Sequence, residues 1–308
     1  MKILIELPSW LGDAVMTTPA IENLVNFFDD SEIILIGSVI SIEALKNNPK
    51  VTEVFVLEKQ YFNLYKTIKS FGKFDAFFSF RSSFRSKVIK FFVSSPRKYQ
   101  FDKNKFIKGH QVEKYNNFIN NVLNVNLIPG KLKLPPQKRI KNSKNKILGI
   151  NPGASYGIAK RWYPEKFASV AFDLSNNYDI IILGSEKEIE IAGDIEKYLI
   201  EKGVANFKNL SGQTSIFELF IQIANLDLLI TGDSGPMHLA AAYQIPTVAI
   251  FGPTNSIETS QWLNEKSKIV KKSLECQPCM KRECPLKHHN CMKLIDPSDV
   301  LREVKNLN

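Results

Sequence analysis

Residues Leu226–Tyr243 read L-D-L-L-I-T-G-D-S-G-P-M-H-L-A-A-A-Y, and the local signals change abruptly half-way along. The first part is a short apolar run, the pattern of a buried parallel strand. It ends in Thr231-Gly232-Asp233-Ser234-Gly235, five small or turn-forming residues, and Pro236 then opens an alanine-rich segment. Proline in the first helical turn behind an Asp or Ser marks a helix start, because that nitrogen needs no intrahelical partner. The stretch therefore predicts a strand, a tight turn and a helix. In an open α/β sheet such a turn lies at the carboxyl edge, where free N–H groups and the positive helix end form a phosphate cradle. His238, two residues into the predicted helix, is placed to reach a phosphate or hydroxyl there. Simple turn closure by Ser234 and Gly235, with His238 capping its own helix, explains the same residues.

The chain has 308 residues, enough for two α/β domains with a core each. Hydrophobic residues make up 44%, but no run approaches the ~20 apolar residues of a membrane-spanning helix. The start, Met1–Pro8, is too short and interrupted for a secretory signal and reads as the first strand of a cytoplasmic protein. The formal charge of +10 is concentrated: residues 81–146 hold 17 Lys and Arg against 2 Asp and Glu. Such a segment suits a polyanionic partner: nucleic acid, an anionic membrane or a phosphorylated substrate.

From the N-terminus, Lys2–Leu7 reads as a strand, Pro8–Asp13 as a turn and Ala14–Phe28 as a helix, so Asp13 occupies the first strand-to-helix turn as Asp233 does a later one. A helix N-cap would explain Asp13 equally well. Strands at Glu32–Ile36, Val51–Leu57 and Phe74–Phe80 alternate with helices near Ile40–Asn47 and Tyr61–Phe71, the rhythm of βαβ units. Arg81–Lys87 follows directly, placing Ser82, Ser83, Arg85 and Lys87 at a neighbouring carboxyl strand end. After a helix near Gln111–Leu123, the proline- and lysine-rich stretch 128–146 reads as a linker. A second series begins with the strand Lys146–Ile150 and the loop Asn151–Trp162, which offers Gly153, Ser155, backbone amides and Lys160 to a diphosphate. That loop contains neither G-x-G-x-x-G nor G-x-x-x-x-G-K-[ST]. Helices at Pro164–Asn176, Lys187–Lys202 and Ser215–Asn225, strands at Asp179–Leu183 and Pro246–Phe251, and a C-terminal helix at Pro297–Leu307 complete a second α/β domain.

Cys276, Cys279, Cys284 and Cys291, the only cysteines, are spaced C-x2-C-x4-C-x6-C. The spacing resembles a zinc knuckle that holds one structural Zn²⁺ through four thiolates or with His288 or His289. Clustered free thiols are the alternative.

P-S-W-L-G-D at Pro8–Asp13, N-P-G-A-S-Y-G-I-A-K-R-W at Asn151–Trp162 and G-D-S-G-P-M-H-L-A-A-A at Gly232–Ala242 together resemble glycosyltransferase family 9, over nearly the whole chain and in order. Tyr163, inserted before Pro164, departs from the pattern. The resemblance implies a GT-B fold, with two Rossmann-like α/β domains whose parallel sheets face a central cleft. Residues 1–140 would hold the acceptor and residues 146–308 the nucleotide sugar, with the C-terminal helix packing back on the first domain as one option. It implies inverting, metal-independent transfer of heptose from ADP-heptose to the first heptose of a phosphorylated Kdo-lipid A core at the cytoplasmic face of the inner membrane, with no catalytic cofactor. The sequence is consistent in one respect, containing no D-x-D pair of the kind that holds a divalent cation.

Carried over residue by residue, the resemblance makes Asp13 the general base. Lys160, Ser155 and the amides of Ser234 and Gly235 stabilise the departing ADP, with Gly153 in the same loop. Asp233 and His238 hold sugar or ribose hydroxyls, and Gly12, Ser82, Ser83, Arg85 and Lys87 face the acceptor. Another family 9 transferase, adding the first or third heptose or an N-acetylhexosamine, is the nearest rival, followed by a sugar-nucleotide epimerase. A non-catalytic nucleotide- or RNA-binding module is disfavoured, because the basic segment lacks an RNP-type aromatic signature and lies beside Asp13.

Overall fold

A computed structural model of the chain describes residues 1–57, 61–137 and 145–307. Part of the expected linker, residues 138–144, lies outside them. The chain divides after Pro135 into two compact units, each with one entirely parallel sheet.

The first unit's sheet comprises β1 (Lys2–Glu6), β2 (Glu32–Gly37), β3 (Val51–Val56), β4 (Ala76–Ser79) and β5 (Arg97–Gln100), in the order β3-β2-β1-β4-β5. Its helices are α1 (Leu11–Met16), α2 (Thr18–Phe27), α3 (Val39–Leu45), α4 (Tyr61–Ser70), α5 (Phe84–Phe92) and α6 (Gln111–Leu123). The central strands are apolar on both faces, as a sheet covered on both sides requires: Leu4, Ile34, Ile36 and Phe77 meet Ile89 and Val93 of the α5 region in one core. The single helix expected over 14–28 is two helices. Thr17 and Thr18 turn their hydroxyls onto the carbonyls of Ala14 (2.6 Å) and Val15 (2.8 Å), and Pro19 lacks the N–H that would continue the ladder. The basic segment also contains two elements that its charge obscured, α5 and β5. Ser83 caps α5 by accepting from the Ser86 N–H at 3.2 Å.

The second unit carries β6 (Lys146–Asn151), β7 (Tyr178–Ile182), β8 (Phe207–Asn209), β9 (Leu228–Gly232), β10 (Thr247–Phe251) and β11 (Ser267–Lys271), ordered β11-β10-β9-β6-β7-β8. Helices α7 (Pro164–Leu174), α8 (Ile189–Glu201), α9 (Ile216–Ala224), α10 (Gly235–Ala242), α11 (Ser256–Thr259), α12 (Asn290–Lys293) and α13 (Pro297–Lys305) surround it. The C-terminal α13 packs on α7, β10 and β11 of its own unit, burying Val300. The stretch Leu226–Tyr243 forms the strand, turn and helix that its sequence predicts.

In both sheets the strand order reverses beside the first strand in sequence. β1 is flanked by β2 and β4, and β6 by β7 and β9. These reversals are the switch points where open α/β sheets bind ligands, outside the carboxyl strand ends. The loops that meet there follow β1 and β4 in one unit, and β6 and β9 in the other. They are the four loops that carry the sequence-predicted residues.

Candidate active site

In the first unit, Asp13 is the third residue of α1 and is half-buried. It does not cap the helix, since Trp10 holds the N-cap position and no side chain bonds there. The hydroxyl of Tyr115, from α6, donates to Asp13 Oδ1 at 3.5 Å. Burial, followed by the neighbouring Asp13 charge, pushes the Tyr115 phenol well above its ordinary range, so it stays protonated as a donor. Beneath the turn after β4 lies Glu6, fully buried at the end of β1. Its carboxylate accepts from the hydroxyls of Ser79 (2.6 Å) and Ser86 (2.8 Å), with Arg81 Nη1 at 3.6 Å. Burial raises the Glu6 carboxyl above its usual range despite these partners. Gln100 donates to the Arg81 carbonyl at 3.0 Å and braces the same turn.

The predicted acceptor residues divide. Gly12, Ser82, Ser83 and Arg85 lie at the carboxyl edge, in the first turn of α1, the β4–α5 turn and the first turn of α5. The Ser83 hydroxyl is engaged in capping α5 and bonds Ser86 Oγ at 2.8 Å. Lys87 is exposed further along α5 with Phe84 and Phe91.

In the second unit the predicted donor residues converge. Lys160 ends a short 3₁₀ turn, Ile158–Lys160, and its Nζ reaches Asp233 Oδ2 at 2.6 Å and the Asp233 carbonyl at 3.1 Å. The Thr254 hydroxyl donates to the same Oδ2 at 2.7 Å. Asn151 Nδ2 lies 3.0 Å from Thr231 Oγ1 and 3.1 Å from Ser234 Oγ, binding the ends of β6 and β9 together. Neither Ser234 nor His238 caps α10 by side chain, and His238 is buried. Ser155 is exposed, whereas Gly153 is buried against Glu188, whose carboxyl group lies 2.0 Å from where a Cβ at 153 would stand. The Glu188 Oε2 is held by the Ser185 N–H (2.7 Å) and hydroxyl (2.9 Å). This edge offers a largely buried cation, a helix start and a carboxylate within a few residues, a set suited to a sugar attached to a diphosphate.

The sequence profile of "Glycosyltransferase family 9 (heptosyltransferase)" matches residues 63–290. The chain belongs to glycosyltransferase family 9. This family 9 transferase is 45% identical to "Lipooligosaccharide heptosyltransferase 2" of Campylobacter jejuni subsp. jejuni serotype O:2, across 100% of the chain and 98% of the relative. Among solved structures, the E. coli ADP-heptose lps heptosyltransferase II is similar with a TM-score of 0.82 and 25% identity, covering 100% of the chain and 98% of that structure. The E. coli heptosyltransferase WaaC with ADP-2-deoxy-2-fluoro heptose shares the fold with a TM-score of 0.77 at 15% identity, both chains being fully covered. The transferase is thus an α/β enzyme of the GT-B class.

All four free thiols of the transferase line one small cavity of ≈ 20 Å³, but among the described residues no group of three or more His, Cys, Asp or Glu side chains is disposed to hold a metal ion. His289 is committed elsewhere, with Nε2 2.9 Å from the Ala159 carbonyl and Nδ1 3.2 Å from the Tyr163 hydroxyl. His288 Nδ1 accepts the Asn290 N–H at 2.9 Å. Burial and the three neighbouring cysteines push the Cys291 thiol up to about 11. The spacing gathers the thiols around one cavity without forming a coordination point, so the residues do not fit the expected structural zinc.

Sequence reasoning missed Glu6, Tyr115, Asn151, Glu188 and Thr254. All five act through tertiary partners, and only Asn151, which opens the Asn151–Trp162 motif, sits in one. Its place there and the buried acid at a carboxyl strand end, Glu6, were the signals available.

Proposed function

We propose that this enzyme transfers heptose from ADP-heptose to the first heptose of a lipooligosaccharide or lipopolysaccharide inner core, with inversion and without a catalytic metal. The observation that carries the reading is the Lys160–Asp233 pair at the start of α10, a largely buried cation beside a helix N-terminus where a diphosphate would sit. The first unit holds the acceptor and the second the nucleotide sugar. Asp13 takes the proton of the acceptor hydroxyl, whose oxygen bonds to the anomeric carbon as the bond from that carbon to the diphosphate oxygen breaks. Lys160 exchanges Asp233 for the departing ADP, aided by Ser155 and the amides of Ser234 and Gly235. Asp233 takes both its side-chain bonds on Oδ2, which leaves Oδ1 to receive a sugar hydroxyl, and His238 and Glu188 serve the remaining hydroxyls. Gly12, Ser82, Ser83 and Arg85 contact the phosphorylated acceptor.

The enzyme acts on the cytoplasmic face of the inner membrane as a peripheral protein. Among the described residues no helix is long and apolar enough to cross a membrane. Phe84 and Phe91, 74% and 77% exposed, share the outer face of α5 with Lys87, and aromatic rings interleaved with cations suit an anionic bilayer surface.

The reading is tested by incubating purified enzyme with ADP-heptose and defined core acceptors, followed by mass spectrometry of the products. A single heptose should be added to an acceptor bearing one inner-core heptose, with turnover retained in EDTA. Transfer to a heptose-free Kdo acceptor instead would make this the enzyme that adds the first heptose.

A further inference from the structure

The cysteine-bearing segment 276–291 is accounted for neither by the reaction nor by a metal, yet it touches the loops on both sides of the Lys160–Asp233 pair. On one side, Gln277 Nε2 donates to the Gly252 carbonyl at 2.6 Å and the Met280 N–H to the Pro253 carbonyl at 2.9 Å. Those residues immediately precede Thr254, which bonds Asp233. On the other side, the Tyr156 hydroxyl donates to the Met280 carbonyl at 2.8 Å and the Ala159 N–H to the Arg282 carbonyl at 3.0 Å. His289 closes the arrangement. Its Nε2–H donates to the Ala159 carbonyl while Nδ1 accepts from the Tyr163 hydroxyl, the one neutral tautomer that satisfies both contacts. Both the N–H and the C=O of the residue before Lys160 are thereby held by this segment.

Two further observations show that the fit is close. A Cβ at Gly157 would stand 2.4 Å from the Arg282 carbonyl oxygen and 2.7 Å from its Cα, so the segment lies directly on the backbone of the Lys160 loop. Met280, Lys287 and His289 adopt left-handed backbone angles, with φ of 54°, 57° and 51°. For residues other than glycine such angles are strained and persist only where surrounding contacts enforce them. Two cations approach the Tyr156 ring, with Lys160 Nζ 5.0 Å and the Arg282 guanidinium 5.4 Å from its centroid.

We propose that residues 276–291 act as a clamp that fixes the Lys160 ammonium for the leaving diphosphate, with His289 as its principal positioning residue. The inference rests on the donor-site reading given above. A lysine side chain has many rotamers to choose among, and a misplacement of about 1 Å remote from the chemistry can cost a hundredfold in rate. Holding the backbone before Lys160 limits where its ammonium can go.

The test compares His289→Ala, His289→Gln, Gly157→Ala and Lys160→Ala in the full-length enzyme, measuring kcat, KM for each substrate, ADP affinity by calorimetry and the melting temperature. His289→Ala should lower kcat and weaken ADP binding by about tenfold each, at the modest end of such misplacements, with the acceptor KM unchanged. His289→Gln, whose amide can both donate to Ala159 and accept from Tyr163, should recover most of the loss. In the Lys160→Ala background His289→Ala should cost nothing more, because its effect runs through that lysine. Gly157→Ala, which pushes the segment off from the opposite side, should reproduce the His289→Ala phenotype and serves if that variant folds poorly. Losses that multiply in the double variant, or acceptor and donor KM rising together, overturn the clamp. If Lys160→Ala is impaired while His289→Ala and Gly157→Ala are not, the clamp fails alone. If Lys160→Ala turns over normally, the donor-site reading fails and the clamp falls with it.

Discussion

Asp13 and Asp233 occupy matching places, each following a strand beside its sheet's switch point, yet they differ in burial and in the hydrogen bonds they accept. Asp233 is buried against an ammonium at 2.6 Å and a threonine hydroxyl at 2.7 Å. Asp13 is half-buried and faces a phenol that its own charge helps to keep protonated. A carboxylate matched to a lysine in a buried site is a poor proton acceptor and a good anchor, because protonating it would strand the cation. In the proposed mechanism the proton goes instead to the half-buried Asp13, within reach of the Tyr115 phenol. We propose that two aspartates alike in sequence serve different roles, Asp233 as an anchor and Asp13 as the base.

The comparison breaks most sharply at Asp13. Asp13→Ala should reduce kcat by about 10²–10⁴ while calorimetric ADP affinity stays at the parent value. Near-normal turnover would remove Asp13 from the chemistry. Lys160→Ala should cost about 10²–10³ in kcat and, unlike the first variant, weaken ADP. It also leaves Asp233 buried without its cation, so its melting temperature should fall. Adding Asp233→Asn should recover the melting temperature but not the rate, and recovery of both would mean that the lysine only served the fold. Tyr115→Phe should be milder, about tenfold in kcat, the lower end for loss of a hydrogen bond to a charged group. ADP affinity should not change, and an altered ADP affinity would place Tyr115 in a different role.

Which parts of this were legible in the sequence follows from the range of the signals. The strand, turn and helix at Leu226–Tyr243 were readable because proline, glycine and apolar runs act within a few residues. The positions of Asp13, Lys160 and Asp233 at carboxyl strand ends followed from that rhythm. α5 and β5 were hidden because Arg85, Lys87, Lys90 and Lys98 mask the apolar periodicity of a half-covered helix and an edge strand. The cysteine spacing suggested a metal because spacing reports chain distance alone. Where the His289 nitrogens point is a tertiary fact, and they point at Ala159 and Tyr163. Tyr115 is 102 residues from Asp13 along the chain, beyond any local pattern.

The smallest expected effect concerns Glu6, the buried acid under the Arg81 turn, and here the sign is decided by pH. Its carboxyl is raised above the unfolded value of 4.5, desolvation outweighing Ser79, Arg81 and Ser86. A raised folded value means that its contribution to stability is fully present below the unfolded pKa and is lost as pH rises through the folded pKa. Glu6→Gln keeps an acceptor oxygen for one serine and offers an amide donor to the other, and it cannot ionise. Its melting temperature should therefore gain on the parent's as pH increases from about 4.5 towards neutrality, whatever their order at the acid end. Arg81 loses its partner in this variant, so the acceptor KM should rise modestly while ADP affinity stays constant, confining the change to the Asp13 side of the comparison. A parent that instead gains on the variant with rising pH would show that the folded protein favours the charged carboxylate, with the Arg81 and serine contacts outweighing burial.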